Sequence, residues 1–191
     1  MHQNSLYEGY LYSYPHKTAH RLLSPSVDLE SLWAKEDRHA LFLYLHIPFC
    51  EMRCGYCNLF SLARPPASMV NAYLAALDRQ TCAANRFLGE ASFARLAIGG
   101  GTPTWMNCHQ LDCLFDLIAT LVANPHDIPV SIEVSPRTAT KEKLELLKQR
   151  GVDRLSVGVQ SFVNDEMKAL LRAQSPEAAH QALSWARELE F

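Results

Sequence analysis

Three cysteines stand close together in the segment HIPFCEMRCGYCNLF, and they are the residues of this chain best suited to chemistry. Cys50, Cys54 and Cys57 have the spacing C-x3-C-x2-C, which lets three thiolates reach one inorganic centre. Thiolates are the usual ligands of iron-sulfur clusters, and three of them leave the fourth iron of a four-iron cluster open. The spacing therefore predicts a [4Fe-4S] cluster with one iron free to take a further ligand.

The free iron could bind S-adenosylmethionine (SAM) through its amino and carboxylate groups. An electron from the cluster would then cleave the sulfonium, and the cofactor would supply the difficult chemistry. A structural zinc site is one alternative, but such sites take four nitrogen or sulfur ligands, and no second C-x2-C or nearby histidine pair completes the set. Inert packing is the other alternative, which the polar neighbours Glu51, Arg53 and Asn58 disfavour.

The other three cysteines, Cys82, Cys108 and Cys113, lack cluster spacing, and we expect them to be small core residues because single free cysteines are commonly buried. The formal net charge of -2 provides no basic field for nucleic acid or for a membrane surface. The N-terminus has no charged leader with an apolar run, so we expect a cytoplasmic protein with reduced thiols.

The elements that must position the cysteines alternate between strands and helices. We divide the chain into an N-terminal arm, residues 1–40, with a short helix around Leu29–Lys35, and a core domain, residues 41–191. The pattern predicts strands over 41–47, 93–98, 129–135 and 153–159, and helices over 68–88, 111–122, 140–150 and from Ser175 onward, with a further helix before Ser175. Ser68 and Ser175 are the expected N-caps of their helices.

This alternation predicts an α/β fold with a parallel sheet and helices outside it. A closed eight-unit barrel takes about 250 residues. We therefore expect a partial (β/α) barrel, truncated after the fourth strand and its helices.

Four motifs carry a resemblance to a known family. YLHIPFCEMRCGYC at 44–57 is followed by GGGTPT at 99–104, IEVSPR at 132–137 and RLSVGVQSF at 154–162. In order and spacing they resemble the oxygen-independent coproporphyrinogen III oxidase family of radical SAM proteins, which includes HemN-type oxidases and HemW-type haem chaperones. The resemblance covers Leu41 to about Arg172 and implies a barrel fold of the radical SAM type.

The resemblance also implies which residues contact the cofactors. Cys50, Cys54 and Cys57 match the cluster ligands, and the positions that match SAM contacts are Tyr44, Tyr56, Gly101, Thr102, Glu133, Gln160 and Arg172. In this reading the glycines at 99–101 let backbone approach the methionyl amine, since no Cβ intervenes. No catalytic residue beyond these ligands is assigned.

The implied function is reductive cleavage of SAM to a 5'-deoxyadenosyl radical that abstracts hydrogen from a small-molecule substrate of the porphyrinogen or haem class. A reductant such as flavodoxin or ferredoxin would supply the electron. The alternative is a HemW-type chaperone that binds cluster, SAM and haem without oxidase activity. The oxidase type carries another cysteine two residues beyond the third, where this chain has Leu59.

Overall fold

The computed structural model describes residues 21–54, 57, 59–170 and 174–191 of the 191-residue chain. Its main sheet contains four parallel strands in the order β1-β4-β5-β6, so β1 and β6 are the outer strands. These strands are β1 (Leu41–Ile47), β4 (Phe93–Gly100), β5 (Val130–Val134) and β6 (Arg154–Val157). The predicted parallel α/β fold is confirmed, and the sheet is open at both edges rather than closed into a barrel.

The described residues form six α-helices: α1 (Leu29–Trp33), α2 (Ala67–Leu88), α3 (Cys108–Ala119), α4 (Lys141–Gln149), α5 (Asn164–Ala169) and α6 (Pro176–Glu188). The short α1 packs against α2, which packs against α3, and α4 contacts both α3 and α6. The helices thus form a layer on one face of the sheet.

Local signals fix most helix starts. At α3, Asn107 and Gln110 form a reciprocal capping box, in which the Gln110 amide donates to Asn107 Oδ1 at 2.8 Å. Ser175 caps α6 as predicted, accepting from Ala178 N at 3.2 Å. The predicted cap at Ser68 is wrong: α2 begins at Ala67 after Pro66, whose fixed φ already suits a helix start.

The core lies between the sheet and the helices. Strand residues alternate between the two sides of the sheet, and on the helix-facing side Leu45, Ile98 and Ile132 are at most 4% exposed. They pack in one cluster with helix residues such as Leu114 and Leu144. The opposite side of the sheet carries exposed residues, so one face of the sheet is buried and the other is open.

A second sheet lies apart from the main one. It pairs two very short parallel strands, β2 (Phe49–Cys50) and β3 (Leu62–Ala63), at the base of the cysteine segment.

No helix within the described ranges is both long enough and apolar enough to cross a bilayer.

Candidate functional site

Functional residues predicted from the sequence meet at one edge of the sheet. Cys50 follows β1, Gly101 and Thr102 follow β4, Glu133 is near the end of β5, and Gln160 follows β6. Because the strands are parallel, their carboxyl ends lie at the same edge, where ligands of such sheets usually bind.

A pocket of about 270 Å³ opens at this edge. All three cysteines of the motif line it, together with four predicted SAM-contact residues: Gly101, Thr102, Glu133 and Gln160. Sequence reasoning did not single out three of its polar or small residues, namely Ser135, Ser156 and Gly158. Their position at or just beyond strand ends was the available signal, since that place alone marks a residue of a parallel sheet as a ligand-binding candidate.

The cysteine loop is closed at its base by the short β2–β3 pair. Leu62 N donates to Pro48 O at 2.6 Å, and Arg64 N donates to Cys50 O at 2.8 Å. The loop is also held from the side, because Glu51 forms an ion pair with Arg137 at 2.7 Å. The backbone that carries the thiols is therefore attached both to its own ends and to the segment after β5.

The three thiols have polar neighbours. Cys50 Sγ lies 3.1 Å from Thr102 Oγ1, and Cys57 Sγ lies 3.8 Å from Ser61 Oγ. Cys57 N donates a hydrogen bond to Cys54 O at 3.0 Å. All three thiols are free and partly exposed to the pocket. Hydroxyl neighbours of this kind can donate to a thiolate, which is the form that binds metal.

The donor set fits an iron-sulfur cluster. Within the described ranges no three His, Cys, Asp or Glu side chains are grouped so as to hold a single metal ion. A four-iron cluster instead takes each thiolate on a different iron, so its ligands line a pocket rather than meet at one point. Three thiols around one pocket, with no fourth cysteine of the chain among its lining residues, match that arrangement.

Close contacts within the chain require glycine at positions 100 and 101. A Cβ on Gly101 would lie 2.5 Å from Phe49 O, and a Cβ on Gly100 would lie 2.7 Å from His46 Cε1. Gly100 also has a φ of 118°, which L side chains rarely adopt. We expected these glycines to leave room for a ligand; their first effect is to let β4 approach the segment after β1, and Gly101 then lines the pocket.

Glu133 lies on the exposed face of β5. The sequence of this strand is mostly apolar, as in a strand buried on both faces, but the face that carries Glu133 is open, so its side chain reaches solvent. Its Oε2 accepts a hydrogen bond from Gly100 N at 3.1 Å, and Gly99 leaves the space for this approach. The carboxylate is thus oriented toward the pocket while keeping its remaining lone pairs available.

Tyr44 lies on the same face, two residues before His46, and is half-exposed outside the lining of the pocket. Its hydroxyl is 3.2 Å from His46 Nδ1, and His46 Nε2 is 3.0 Å from Phe60 O. Burial, and then the negative charge of Glu133, raise the pKa of Tyr44. Both ring nitrogens of His46 therefore lie within hydrogen-bonding distance of a partner.

Two predicted SAM contacts, Tyr56 and Arg172, lie outside the described residues. The prediction for the remaining cysteines was wrong in two cases: Cys82 and Cys113 are exposed, whereas Cys108 is partly buried. Both exposed cysteines sit on helix faces turned away from the core, because their helices bury other positions.

Comparisons with known proteins agree with this geometry. The Radical SAM superfamily matches residues 44–191. The heme chaperone HemW of Bacillus subtilis is 35% identical over 151 residues, covering 78% of this chain and 39% of that protein. An oxygen-independent coproporphyrinogen III oxidase of Salmonella typhimurium is 31% identical over 193 residues, covering 98% of this chain and 42% of that protein.

A solved structure, the coproporphyrinogen III oxidase HemN from Escherichia coli, described as a radical SAM enzyme, superimposes with a TM-score of 0.78 at 30% identity. The superposition covers 85% of this chain and 38% of that one. The chain thus spans about two fifths of the length of these relatives. It belongs to the Radical SAM superfamily, where its relatives include the oxygen-independent coproporphyrinogen III oxidases and the heme chaperone HemW.

Proposed function

We propose that this protein binds a [4Fe-4S] cluster through Cys50, Cys54 and Cys57 and uses it to cleave SAM reductively. One observation carries the proposal: the three thiols line the same pocket as Gly101, Thr102, Glu133 and Gln160 at the carboxyl edge of a parallel sheet. When bound, the cluster and SAM together supply a one-electron cleavage that starts hydrogen abstraction from a substrate.

The chain's own residues hold and shield these groups. The closed base of the cysteine loop and the Glu51–Arg137 ion pair hold the thiols at the mouth of the pocket. Thr102, 6% exposed, keeps its hydroxyl against Cys50 Sγ and can donate to the thiolate. Pre-positioned ligands of this kind lower the entropic cost of assembling a cluster.

The polar side of the pocket suits SAM. Glu133 offers a carboxylate that can accept from ribose hydroxyls or from an ammonium group, and the Gln160 amide can both donate and accept. We assign Gly101 and Thr102 to the same cofactor, and we extend the assignment to Tyr44, Tyr56 and Arg172 on the family resemblance. Arg172 would pair with a carboxylate.

For the substrate we favour a tetrapyrrole. Beyond the pocket the open face of the sheet carries Phe42 and Tyr44, which are 60% and 51% exposed. Exposed aromatic rings provide apolar surface against which the pyrrole rings of such a substrate can pack. A soluble reductant such as flavodoxin or ferredoxin would deliver the electron, and the six free thiols favour a reducing, cytoplasmic setting.

The test is anaerobic reconstitution of the protein with iron and sulfide, followed by dithionite and SAM. We expect 5'-deoxyadenosine and methionine in equal amounts, measured by chromatography. A reconstituted cluster that yields no 5'-deoxyadenosine would contradict the SAM-cleaving role. Failure to assemble a cluster at all, with zinc bound instead, would contradict the cluster assignment.

A second candidate is a haem carrier that keeps the cluster and the SAM site but transfers haem. The observation that favours it is Leu59, which lines the pocket at the position where the oxidase type carries its additional cysteine. Its apolar side chain, 48% exposed, adds no ligand to the cluster but offers contact surface to an apolar ring system.

Haem titration followed by Soret absorbance separates the two roles. Tight uptake of haem without turnover of coproporphyrinogen would favour the carrier. Formation of a decarboxylated porphyrinogen in the presence of SAM and reductant would favour the oxidase. The variant Leu59→Cys sharpens the comparison, because it restores the sulfur that the oxidase type carries there.

A further inference from the structure

A small cavity lies behind the cysteine loop and adjoins the candidate pocket. Its volume is about 30 Å³, which is room for one water and too little for a cofactor. Cys50, Met52, Cys54, Thr102 and Ser135 line both spaces and so form the wall between them. The far side of the cavity is formed by Glu51, Arg137 and Gln174.

Gln174 is the unusual member of this set. The residue is 5% exposed, yet neither its Nε2 nor its Oε1 has a hydrogen-bond partner within the described ranges. Buried side-chain amides are almost always hydrogen-bonded, because burying one without a partner is costly. An amide held this way next to a small polar cavity requires a partner in the cavity or on its wall.

Three of the other polar side chains around the cavity already have a partner. Glu51 and Arg137 form their ion pair at 2.7 Å, and the Thr102 hydroxyl lies 3.1 Å from Cys50 Sγ. The other polar side-chain groups on the cavity wall are the Ser135 hydroxyl and the sulfurs of Cys50 and Cys54. A neutral thiol is a weak acceptor, but a metal-bound thiolate carries charge and accepts well.

We propose that Gln174 is a positioning residue of the cluster: its side-chain amide Nε2 donates to the thiolate sulfurs of Cys50 and Cys54 across this cavity once the cluster is bound. The one water for which the cavity has room can donate to Oε1. The inference rests on the proposed function, since it requires those cysteines to be ligands.

Two consequences of opposite sign follow. Hydrogen bonds to cluster sulfurs stabilise the more negative, reduced form, so the amide raises the reduction potential of the cluster. In the cluster-free protein Nε2 lacks this charged acceptor, so the buried amide lowers the stability of the fold. An apolar side chain of equal length should therefore make the potential more negative while raising the melting temperature of the cluster-free protein.

The experiment uses Gln174→Met, which keeps the unbranched shape, with Gln174→Leu as a second variant in case the first folds poorly. The matched control is Gln181→Met, at an exposed position of α6. The reconstituted proteins are compared by redox titration followed by EPR, and the cluster-free proteins by thermal unfolding.

We expect the Gln174 variants to shift the midpoint potential downward and the cluster-free melting temperature upward, with the control unchanged in both. Equal potentials in wild type and both Gln174 variants, with the cluster assembled in each, would overturn this inference alone. A wild-type protein that assembles no cluster would overturn the proposed function and this inference with it.

Discussion

The two faces of the main sheet are made from the same strands but serve different ends. On the helix-facing side Leu45, Ile98 and Ile132 are almost fully buried and pack in the core. On the other side Tyr44, Glu133 and Ser156 reach solvent or the pocket. Because alternate residues of a strand point to opposite faces, substitutions on the helix-facing side should affect stability. Substitutions on the open side should affect ligand binding.

The largest effect should come from the cysteines at the end of this sheet. Cys50→Ala, Cys54→Ala and Cys57→Ala should each abolish the cluster, because each removes one of its three protein ligands. Iron content and cluster absorbance after anaerobic reconstitution measure this. Cys82→Ala and Cys113→Ala, both at exposed sites, should retain the full cluster; loss of iron in either would place a ligand outside the loop.

The next largest effect should come from truncating a side chain in the core. Ile98→Ala removes a side chain that is 1% exposed and should lower the free energy of unfolding by about 3 kcal/mol through lost burial and an unfilled cavity. On the same sheet, Phe42→Ala on the open face should cost roughly 0.5 kcal/mol or less. Urea denaturation measures both, and equal costs would show that the open face is covered in solution.

Glu133→Gln should affect binding rather than stability. The amide oxygen can still accept from Gly100 N, so the fold should be nearly unchanged. Loss of the charge should weaken SAM binding about tenfold, which corresponds to roughly 1.4 kcal/mol, since hydrogen bonds to a charged acceptor are about twice as strong as neutral ones. Anaerobic equilibrium binding measures this, with Glu142→Gln at an exposed position of α4 as the control; unaltered affinity would remove Glu133 from the SAM site.

Among the substitutions near the candidate site, the smallest effect should come from Tyr44→Phe. The substitution removes the hydroxyl that lies 3.2 Å from His46 Nδ1 and should lower the free energy of unfolding by about 0.5 to 1 kcal/mol. Thermal unfolding measures the change. A larger loss of SAM affinity than of stability would show that Tyr44 reaches the cofactor directly, although it stands outside the lining of the pocket.

The strands and helices could be predicted from the sequence because their apolar periodicity is long enough to be distinctive. The β2–β3 pair could not, since two residues per strand carry no periodic signal and the pairing depends on how the cysteine loop closes. The cap of α2 was misplaced because a serine stood next to the prolines that actually precede the helix.

Only some residues of the candidate site could be predicted from the sequence. The cysteine spacing identified three residues that line the pocket, whereas Gln174 lies over 110 positions further along the chain and approaches them only through the fold. The exposure of Glu133 could not be predicted either, because the sequence of β5 resembles that of a strand buried on both faces. Whether one face is covered is decided by the packing of the other elements.

The closed base of the cysteine loop bears on how the protein would survive damage. The ends of the loop are joined by backbone hydrogen bonds that involve no sulfur atom, namely those from Leu62 N and Arg64 N. Oxidative destruction of an iron centre would therefore leave the loop closed, so the entropic cost of bringing its ends together would not arise again when a new cluster binds. Repeated stripping and refilling of iron should then be reversible without unfolding of the chain.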